Sequence, residues 1–422
     1  MRALAGCLAL ACALALPARA ADAPQLLEDE AAVAAVLATV EERLALMPQV
    51  AAAKWCARQP VSDPAREQAL LERNATAAAA SGFAAAPART LLALQMRFAR
   101  EAQQRLHATW QQTGCDACEP PPALAAVRQR LDALGARQLR ALHLAAPALA
   151  GPDFIARHAA LADARLGDGL PAAADRAQLL QALTAIRRAA PPTLARARAS
   201  GVLRIGTTGD YAPFSLEHDG RLAGADIALA GSLAAGLGLE PVFVRTSWPT
   251  LMQDLAADRF DVALAGISIT PERAARAFFS RPYHSGGKTI VARCAERARF
   301  DTPGELDDPA VRVIVNPGGT NEAWVRANLG RAQIRVHPDN RTVFDEIVAG
   351  RADAMVTDDV EAELQTRRHP QLCRTLPGTL TRSEKAVLMP RDAALQAAVD
   401  DWLQRQLDAG LPATVLREAL AQ

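Results

Sequence analysis

The stretch Val202-Leu203-Arg204-Ile205-Gly206-Thr207-Thr208-Gly209-Asp210-Tyr211-Ala212-Pro213-Phe214-Ser215 decides how this chain is organised. A short apolar, β-branched run, then Gly206, Gly209 and a turn around Pro213, reads as a first strand that delivers a loop to a ligand cleft. Such a segment looks like the beginning of a protein, yet it lies at the midpoint of 422 residues. Upstream the pattern is helical; downstream, strand and helix signals alternate.

From 202 onward, strands are expected near 202–208, 240–246, 261–265, 287–293, 311–315, 333–337, 353–357 and 385–389. Helices fill the intervals, for example 225–236, 342–349 and 359–367. That alternation implies mainly parallel sheets, and its length suits two α/β lobes with a cleft between them. Residues 25–199 carry almost no strand signal, and apolar residues recur at helical spacing, as at Val33, Val36, Leu37, Val40 and Leu44. Pro60 closes one segment, and Asp63-Pro64 opens the next with a cap and a first-turn proline. Further helices are expected near 88–112, 122–145, 152–163 and 171–188. The fold class is therefore multidomain: an all-helical domain over 21–190, a linker at 191–201 marked by Pro191-Pro192, and a bilobal α/β domain over 202–422.

A chain that is 50% hydrophobic with a formal charge of +1 is neither disordered nor built to bind nucleic acid. Residues 1–20 have the form of a secretory signal: Arg2, an apolar run from Ala3 to Leu16, then Pro17 and Ala18-Arg19-Ala20. Cleavage near Ala20 and release into the periplasm are expected, and no later segment is apolar enough over sufficient length to enter a bilayer. The remaining cysteines then meet an oxidising compartment. Cys294 and Cys373 are expected to pair across a long loop, Cys115 and Cys118 to form a local disulfide, and Cys56 to stay a buried free thiol. A lone CxxC with no second CxxC and no nearby His pair gives no reason to expect zinc. Arginine outnumbers lysine 44 to 3. Lys54, Lys288 and Lys385 are thus either places where a compact ammonium is needed or chance survivors of a strong bias.

In the helical half, Arg43 and Lys54 are eleven residues apart and share a face if Pro48 bends the helix without breaking it. Arg66 and Glu67 sit in the first turn after Asp63-Pro64, and Gln103 lies on a long helix whose other face carries Leu91, Leu94, Phe98 and Leu106. Taken singly, each reads as a solvated surface residue. Together, Glu42-Arg43-Leu44, the run from Val50 to Glu67, and Gln95-Met96-Arg97-Phe98-Ala99-Arg100-Glu101-Ala102-Gln103 resemble the exported subclass of all-helical chorismate mutases, over about 28–185. The resemblance implies that Arg43, Arg66 and Arg137 grip two carboxylates and that Lys54 and Gln103 donate to an ether oxygen. Asp63 and Glu67 would support the substrate hydroxyl and the arginines. Ala99 departs from that family, where a hydroxyl residue often stands. Arg128, Arg130 and Arg140 are near Arg137, and helix register decides which points inward.

In the α/β half, Asp210-Tyr211-Ala212-Pro213-Phe214 should form the first cleft loop. Gly266-Ile267-Ser268-Ile269-Thr270-Pro271-Glu272-Arg273 follows a strand, and its Arg273 suits a carboxylate. Asn316-Pro317-Gly318-Gly319-Thr320-Asn321-Glu322 precedes a helix, so its glycine turn offers free amides to an anion. These features resemble polar-amino-acid solute-binding proteins, in which Asp358 would face a ligand amine. With Thr246-Ser247-Trp248-Pro249 and His337-Pro338-Asp339-Asn340 added, the wording is similar to exported cyclohexadienyl dehydratases of the same fold. That likeness implies Glu322 as general acid, its pKa raised in a partly buried cleft, and Arg273, Thr320 and Asn321 as carboxylate clamps. Tyr211, Phe214 and Trp248 would wall the ring, with Ser268, Lys288 and Asp358 lining the site. Glu322 could equally sit in its helix's first turn for electrostatic reasons alone, and Trp248 could be a packing residue.

The expected activity is bifunctional: chorismate to prephenate, then prephenate to phenylpyruvate, with arogenate to phenylalanine as a further reaction the likeness allows. The expected partners are these small molecules, with no cofactor, no metal and no nucleic acid; a homo-oligomer is compatible. The competing readings are a periplasmic amino-acid-binding protein of a transporter or sensor, and a dehydratase beside a helical domain that only dimerises.

Overall fold

The computed structural model describes residues 24–114, 118, 123–188 and 193–421. The expected signal segment, Cys115 and Pro191-Pro192 lie outside the described residues. Among the described residues, seven helices build the first half: Asp29–Ala45, Met47–Cys56, Pro64–Ala80, Ala85–Thr113, Leu124–Leu149, Phe154–Leu166 and Ala173–Thr184. Val33, Val36, Leu37 and Val40 are buried with Leu91, Leu94, Phe98, Leu142 and Leu183 in one core. Burial of each such side chain contributes roughly 1.5–3 kcal/mol before entropy is counted. Pro48 starts a new helix rather than bending an old one, but the gap is only Leu46, whose amide still bonds Glu42 O at 3.2 Å. The two helices therefore run on nearly as one. Asp63 caps the Pro64–Ala80 helix by accepting from the Arg66 amide at 3.1 Å.

Among the described residues the second half has two large sheets, one per lobe, and two small ones of two and three strands. The first runs in the order Leu26–Leu27, Glu240–Arg245, Val202–Thr207, Val262–Ala263, Leu388–Met389 and Phe278–Phe279. The second runs Gln333–Val336, Arg312–Val315, Ala354–Asp358, Lys288–Arg293 and Leu372–Arg374. The first is mainly parallel, as expected, with two antiparallel pairings at one end, and the second is evenly mixed, because the chain crosses twice between the lobes. Strand Lys288–Arg293 runs antiparallel to both its neighbours, and Leu388–Met389 antiparallel to both of its own. The crossing segments pair with each other, Ser383–Lys385 against His284–Gly286, so that Lys385 faces His284 across a short ribbon joining the lobes. The expected strand at 385–389 is thus two pieces with different jobs.

The helical half is stitched to the first lobe at both its ends. Leu26–Leu27, expected inside the helical domain, adds a parallel edge strand beside Glu240–Arg245; two leucines are too short a run to signal a strand. The expected linker contains the helix Thr193–Ser200, whose Leu194 and Ala197 enter the lobe's core. Arg188 donates to Asp258 Oδ2 at 2.6 Å and to the His143 carbonyl, tying the end of the helical half to the lobe.

Cys294 and Cys373 are bonded as expected. Cys56 is not free. It pairs with Cys118 across a Cα–Cα distance of 5.6 Å, well within disulfide reach, so the expected local bond from Cys118 to Cys115 is corrected. This crosslink ties the end of the helix that carries Lys54 to the segment leading into the Leu124–Leu149 helix.

Candidate active sites

A cavity of about 860 Å³ opens among the first five helices. Each wall is one stripe at helical spacing: Asp63, Arg66, Glu67, Leu70, Arg73, Asn74 and Ala77 on one, Leu92, Gln95, Met96, Ala99, Arg100 and Gln103 on the next. Arg43 and Lys54 project from the nearly continuous first pair of helices. Six basic side chains face three acidic ones, Asp63, Glu67 and Asp132, so the cavity is cationic. Glu67 organises one side, accepting from Ser62 Oγ at 3.1 Å, the Asp63 amide at 3.3 Å and Arg100 Nη1 at 2.7 Å. Lys54 Nζ donates to the Val61 carbonyl at 2.6 Å. Burial, then the neighbouring Arg128, pulls its pKa below the ordinary lysine value. Burial likewise lowers Arg43, whose Nε has no partner among the described residues. The Gln103 amide nitrogen donates to the Ala99 carbonyl at 3.0 Å and to Met47 Sδ at 3.5 Å. A thioether accepts weakly, so a ligand oxygen could take its place.

Of the expected residues, Arg43, Lys54, Asp63, Arg66, Glu67 and Gln103 line this cavity, and Arg137 does not. Arg137 points outward and forms a two-bond pair with Glu42 at 2.8 and 2.7 Å. Arg128 lines the cavity from the same helix instead. Nine residues separate them, two and a half turns, which places them on opposite faces. Arg73, Arg100 and Arg128 were not expected. Continuing the stripe from Arg66 by three and four residues would have found Arg73, and the same step back from Gln103 finds Arg100.

The second site lies between the lobes, where a cavity of about 20 Å³ is lined by Tyr211, Trp248, Gly266, Ser268, Arg273, Asn316, Gly319, Thr320, Asn321, Asn340, Asp358 and Lys385. That volume holds about one water, so the lobes are closed on each other. Two glycines allow close packing here, Gly266 within the first lobe and Gly318 between the lobes. Gly266 has φ +66°, and a Cβ there would strike Phe214 and Tyr211; Gly318 has φ +74°, and a Cβ would strike Pro249 of the opposite lobe. The Asp226 carboxylate fixes the first of these turns by accepting from the Gly266 amide and the Tyr283 hydroxyl, both at 2.6 Å.

The centre of the cleft is an ion cluster. Asp358 Oδ1 accepts from Lys288 Nζ at 2.7 Å, and Oδ2 accepts from Lys385 Nζ at 2.6 Å and from the Tyr211 hydroxyl. Burial alone would raise the Asp358 pKa, but the two ammonium groups outweigh it and hold the carboxyl far below its usual range. Lys288 also reaches Thr320 Oγ1 at 2.8 Å and Asn321, and Lys385 reaches Ser268 Oγ at 2.9 Å. Arg273 Nη1 donates to the Ser268 carbonyl at 3.0 Å. Trp248 contacts the Tyr211 ring edge-on at 5.6 Å and donates to Asp210 Oδ1 at 3.2 Å.

Asp358 lines the cavity as expected, its carboxylate held by two lysines and the Tyr211 hydroxyl. Two expectations change here. Phe214 lies beneath Tyr211, buried, and does not line the cavity. Glu322 is not raised: its carboxylate sits behind the glycine turn, accepting from the Gly318 amide at 2.7 Å and pairing with Arg326 at 2.8 Å, and these contacts lower its pKa despite partial burial. Lys288 stands one layer behind the lining, bonded to three residues that form it. Lys385, Asn316 and Asn340 were missed as site residues, although Lys385 was one of three rare lysines and the two asparagines lie in the quoted motifs.

One buried acid near the cluster shapes stability. Glu361, hydrogen-bonded to the Thr357 hydroxyl, is pushed up to about 8, first by burial and also by Asp358. In the unfolded chain this carboxyl is ionised above about pH 4.5, while the folded site keeps it neutral until about pH 8. Folding stability therefore falls as pH rises between roughly 4.5 and 8, by on the order of 5 kcal/mol. Asp226, raised to about 6 by burial, acts in the same direction. In a thermal melt series, Glu361→Gln should flatten this slope and raise the midpoint at pH 8; an unchanged slope would contradict the assignment.

Residues 203–414, half of the chain, match the family of bacterial extracellular solute-binding proteins, family 3, and residues 34–104 match chorismate mutase type II. A cyclohexadienyl dehydratase of Pseudomonas aeruginosa is 53% identical over 214 residues, covering 50% of this chain and 80% of that protein. The L-cystine-binding protein TcyJ of Escherichia coli is 28% identical over 224 residues, 52% of this chain and 83% of that protein. Among solved structures, the ancestral amino acid-binding protein AncCDT-1, a precursor of cyclohexadienyl dehydratase, superposes with a TM-score of 0.51 at 32% identity. That match covers 55% of this chain and 100% of that one. Through its α/β half the chain belongs to the family 3 extracellular solute-binding proteins, and its helical half carries a chorismate mutase type II segment.

Proposed function

We propose that the chain catalyses two consecutive reactions, chorismate to prephenate in the helical half and prephenate to phenylpyruvate, carbon dioxide and water in the α/β half. The observation that carries this reading is where the three lysines fall. Lys54 lines the first cavity, and Lys288 and Lys385 hold the centre of the second. In a chain that otherwise uses arginine, compact cations stand at both sites, and both reactions act on dianions.

The mutase step is pericyclic and needs neither nucleophile nor proton transfer. A protein can accelerate it by holding the reactive conformer and by placing positive charge where the breaking ether bond gathers negative charge. Arg43, Arg66 and Arg128 are assigned to the carboxylates, Lys54 and Gln103 to the ether oxygen. Asp63 and Glu67 are assigned to the substrate hydroxyl and to orienting the arginines. Arg128→Ala should lower mutase kcat/KM about 100-fold, while Arg137→Ala should change it less than about twofold, because its partner is an exposed Glu42. Equal effects of the two substitutions would contradict this assignment.

The dehydratase step needs a proton for the departing ring hydroxyl, clamps for two carboxylates and an apolar wall for a ring that becomes aromatic. Arg273, Thr320 and Asn321 supply clamps, and Tyr211 and Trp248 the wall. Glu322 is assigned as proton donor in the loaded cleft. Admission of a substrate parts the lobes, and a dianion seated on the adjacent turn disfavours the ionised form of this carboxyl. Conversion of prephenate by the purified chain tests this half. The amino-acid-binding alternative is disfavoured by the two ammonium groups on Asp358, which a ligand amine would have to displace or stand beside. Export through a cleaved leader ending near Ala20 is part of the same proposal, in keeping with the extracellular family.

A further inference from the structure

We propose that the junction between the helical half and the first lobe holds a binding site, separate from both candidate active sites, for a small carboxylate with a ring-bearing apolar body. The proposal stands independently of either reaction.

A cavity of about 730 Å³ opens at this junction, a size usual for small-molecule sites. The end of the Leu124–Leu149 helix forms one wall, and the helix Leu251–Ala256 with the residues after it forms another. Residues 186–188 and the start of the helix Thr193–Ser200 lie between them, and Pro390 and Arg391 complete the lining. Pro147, Ile186, Met252, Leu255 and Pro390 give it an apolar surface. Its polar side chains are six arginines, Thr193 and one carboxylate, Asp258.

That carboxylate is already shared. Asp258 Oδ1 accepts from Arg196 at 2.8 Å and from Arg204 at 2.9 Å, and Oδ2 accepts from Arg188 at 2.6 Å. Arg204 also pairs with Asp261 at 2.6 Å. Three arginines therefore share two aspartates, and the buried Nε atoms of Arg188 and Arg196 have no partner among the described residues. Burial, then the neighbouring Arg204, pushes the Arg188 pKa down to about 10, as happens where cations outnumber their counterions. Arg259 is paired with Asp29 and Asp254. Among the described residues, Arg187, Arg276 and Arg391 have no carboxylate partner. Arg187 donates to the carbonyls of Thr184 and Ile186, and Arg391 to those of Ala274 and Ala275. Asp392, beside Arg391, is turned to the amides of Leu194, Ala394 and Leu395.

The junction thus carries an excess of one positive charge in the shared cluster and one on each of three exposed arginines, around an apolar wall. An arginine fork holds a carboxylate by two parallel bonds. The wall adds affinity only for an anion that also brings apolar surface, which a ring supplies and a bare phosphate does not.

The test compares the full chain with its Arg276→Ala/Arg391→Ala variant, both changes at exposed positions outside the two active sites. Each protein is titrated calorimetrically with 3-phenylpropionate and, in parallel, with inorganic phosphate, while hydrogen exchange is followed over residues 193–200 and 251–259. Both proteins keep the same two active-site cavities, so the difference between them reports the junction alone. The expected result is one 3-phenylpropionate equivalent that binds at least about tenfold more weakly in the variant. The probe should protect both segments in the wild type and neither in the variant. Arg276→Lys/Arg391→Lys should recover part of the binding, which a loss of structure would not allow. Identical titrations and protection in the wild type and the alanine variant would overturn the proposal. Phosphate bound as tightly as 3-phenylpropionate would overturn it as well, since the apolar wall would then play no part.

Discussion

Glu322→Gln is expected to lower kcat on prephenate about 1000-fold and to leave substrate affinity nearly unchanged. Glutamine keeps the shape of the side chain, and its carbonyl can still accept from the Gly318 amide that Glu322 now caps. The anion-binding turn is therefore retained and only the transferable proton is lost. A positioned general acid contributes about 10²–10⁴-fold, so a loss in that range with binding preserved identifies the donor. The acid has an unusual starting point, since in the closed, unloaded cleft its pKa lies below the ordinary glutamate value. At neutral pH it must gain its proton as the dianion arrives. Prephenate binding should thus be accompanied by proton uptake, visible as a dependence of the titration heat on the buffer's ionisation enthalpy. The wild-type kcat/KM should fall as pH rises above the free carboxyl's pKa. Both signatures should vanish in the glutamine variant. A variant that retains more than a tenth of wild-type turnover would move the proton donor elsewhere.

The second large effect is expected at Lys54. Lys54→Ala should reduce mutase turnover about 100- to 1000-fold, the range for removing one preorganised donor from a developing oxyanion. Dehydratase turnover in the same preparation should be unaffected. Lys54 Nζ stands 2.6 Å from the Val61 carbonyl beside Arg128. A planar guanidinium is bulkier and holds its donors in a fixed fork. Lys54→Arg should therefore also be impaired, even though charge is conserved. Preserved mutase activity in the folded alanine variant would leave the helical half as a scaffold.

Much of this arrangement was legible in the sequence because period and punctuation act locally. The segment from Val202 to Ser215 announced a strand and loop, and Asp63-Pro64 a helix start. What escaped was set by distant partners. Arg137 and Arg128 differ only in which face of the Leu124–Leu149 helix each occupies, and packing settles that. Cys56 found Cys118 because the end of one helix meets Cys118 from beyond another in space, which no spacing reveals. Glu322 was read correctly as bordering the glycine turn, but its contacts with Gly318 and Arg326 reverse the expected pKa shift. Lys385 was visible as a rare lysine, yet its role depends on the ribbon between the lobes, where it reaches Asp358 from another part of the chain. Asp358 lines the cleft as read, but the two lysines that hold its oxygens come from distant parts of the chain.

The central claim is that one chain carries two active sites in sequence. The most direct measurement is to supply chorismate alone to the purified protein and to follow chorismate loss together with phenylpyruvate appearance, with prephenate alone in parallel. The account predicts phenylpyruvate from both substrates, formed from chorismate after a lag in which prephenate is the intermediate. Phenylpyruvate from prephenate alone, with chorismate untouched, would contradict the assignment of the helical cavity. Conversion of neither substrate would contradict the account as a whole.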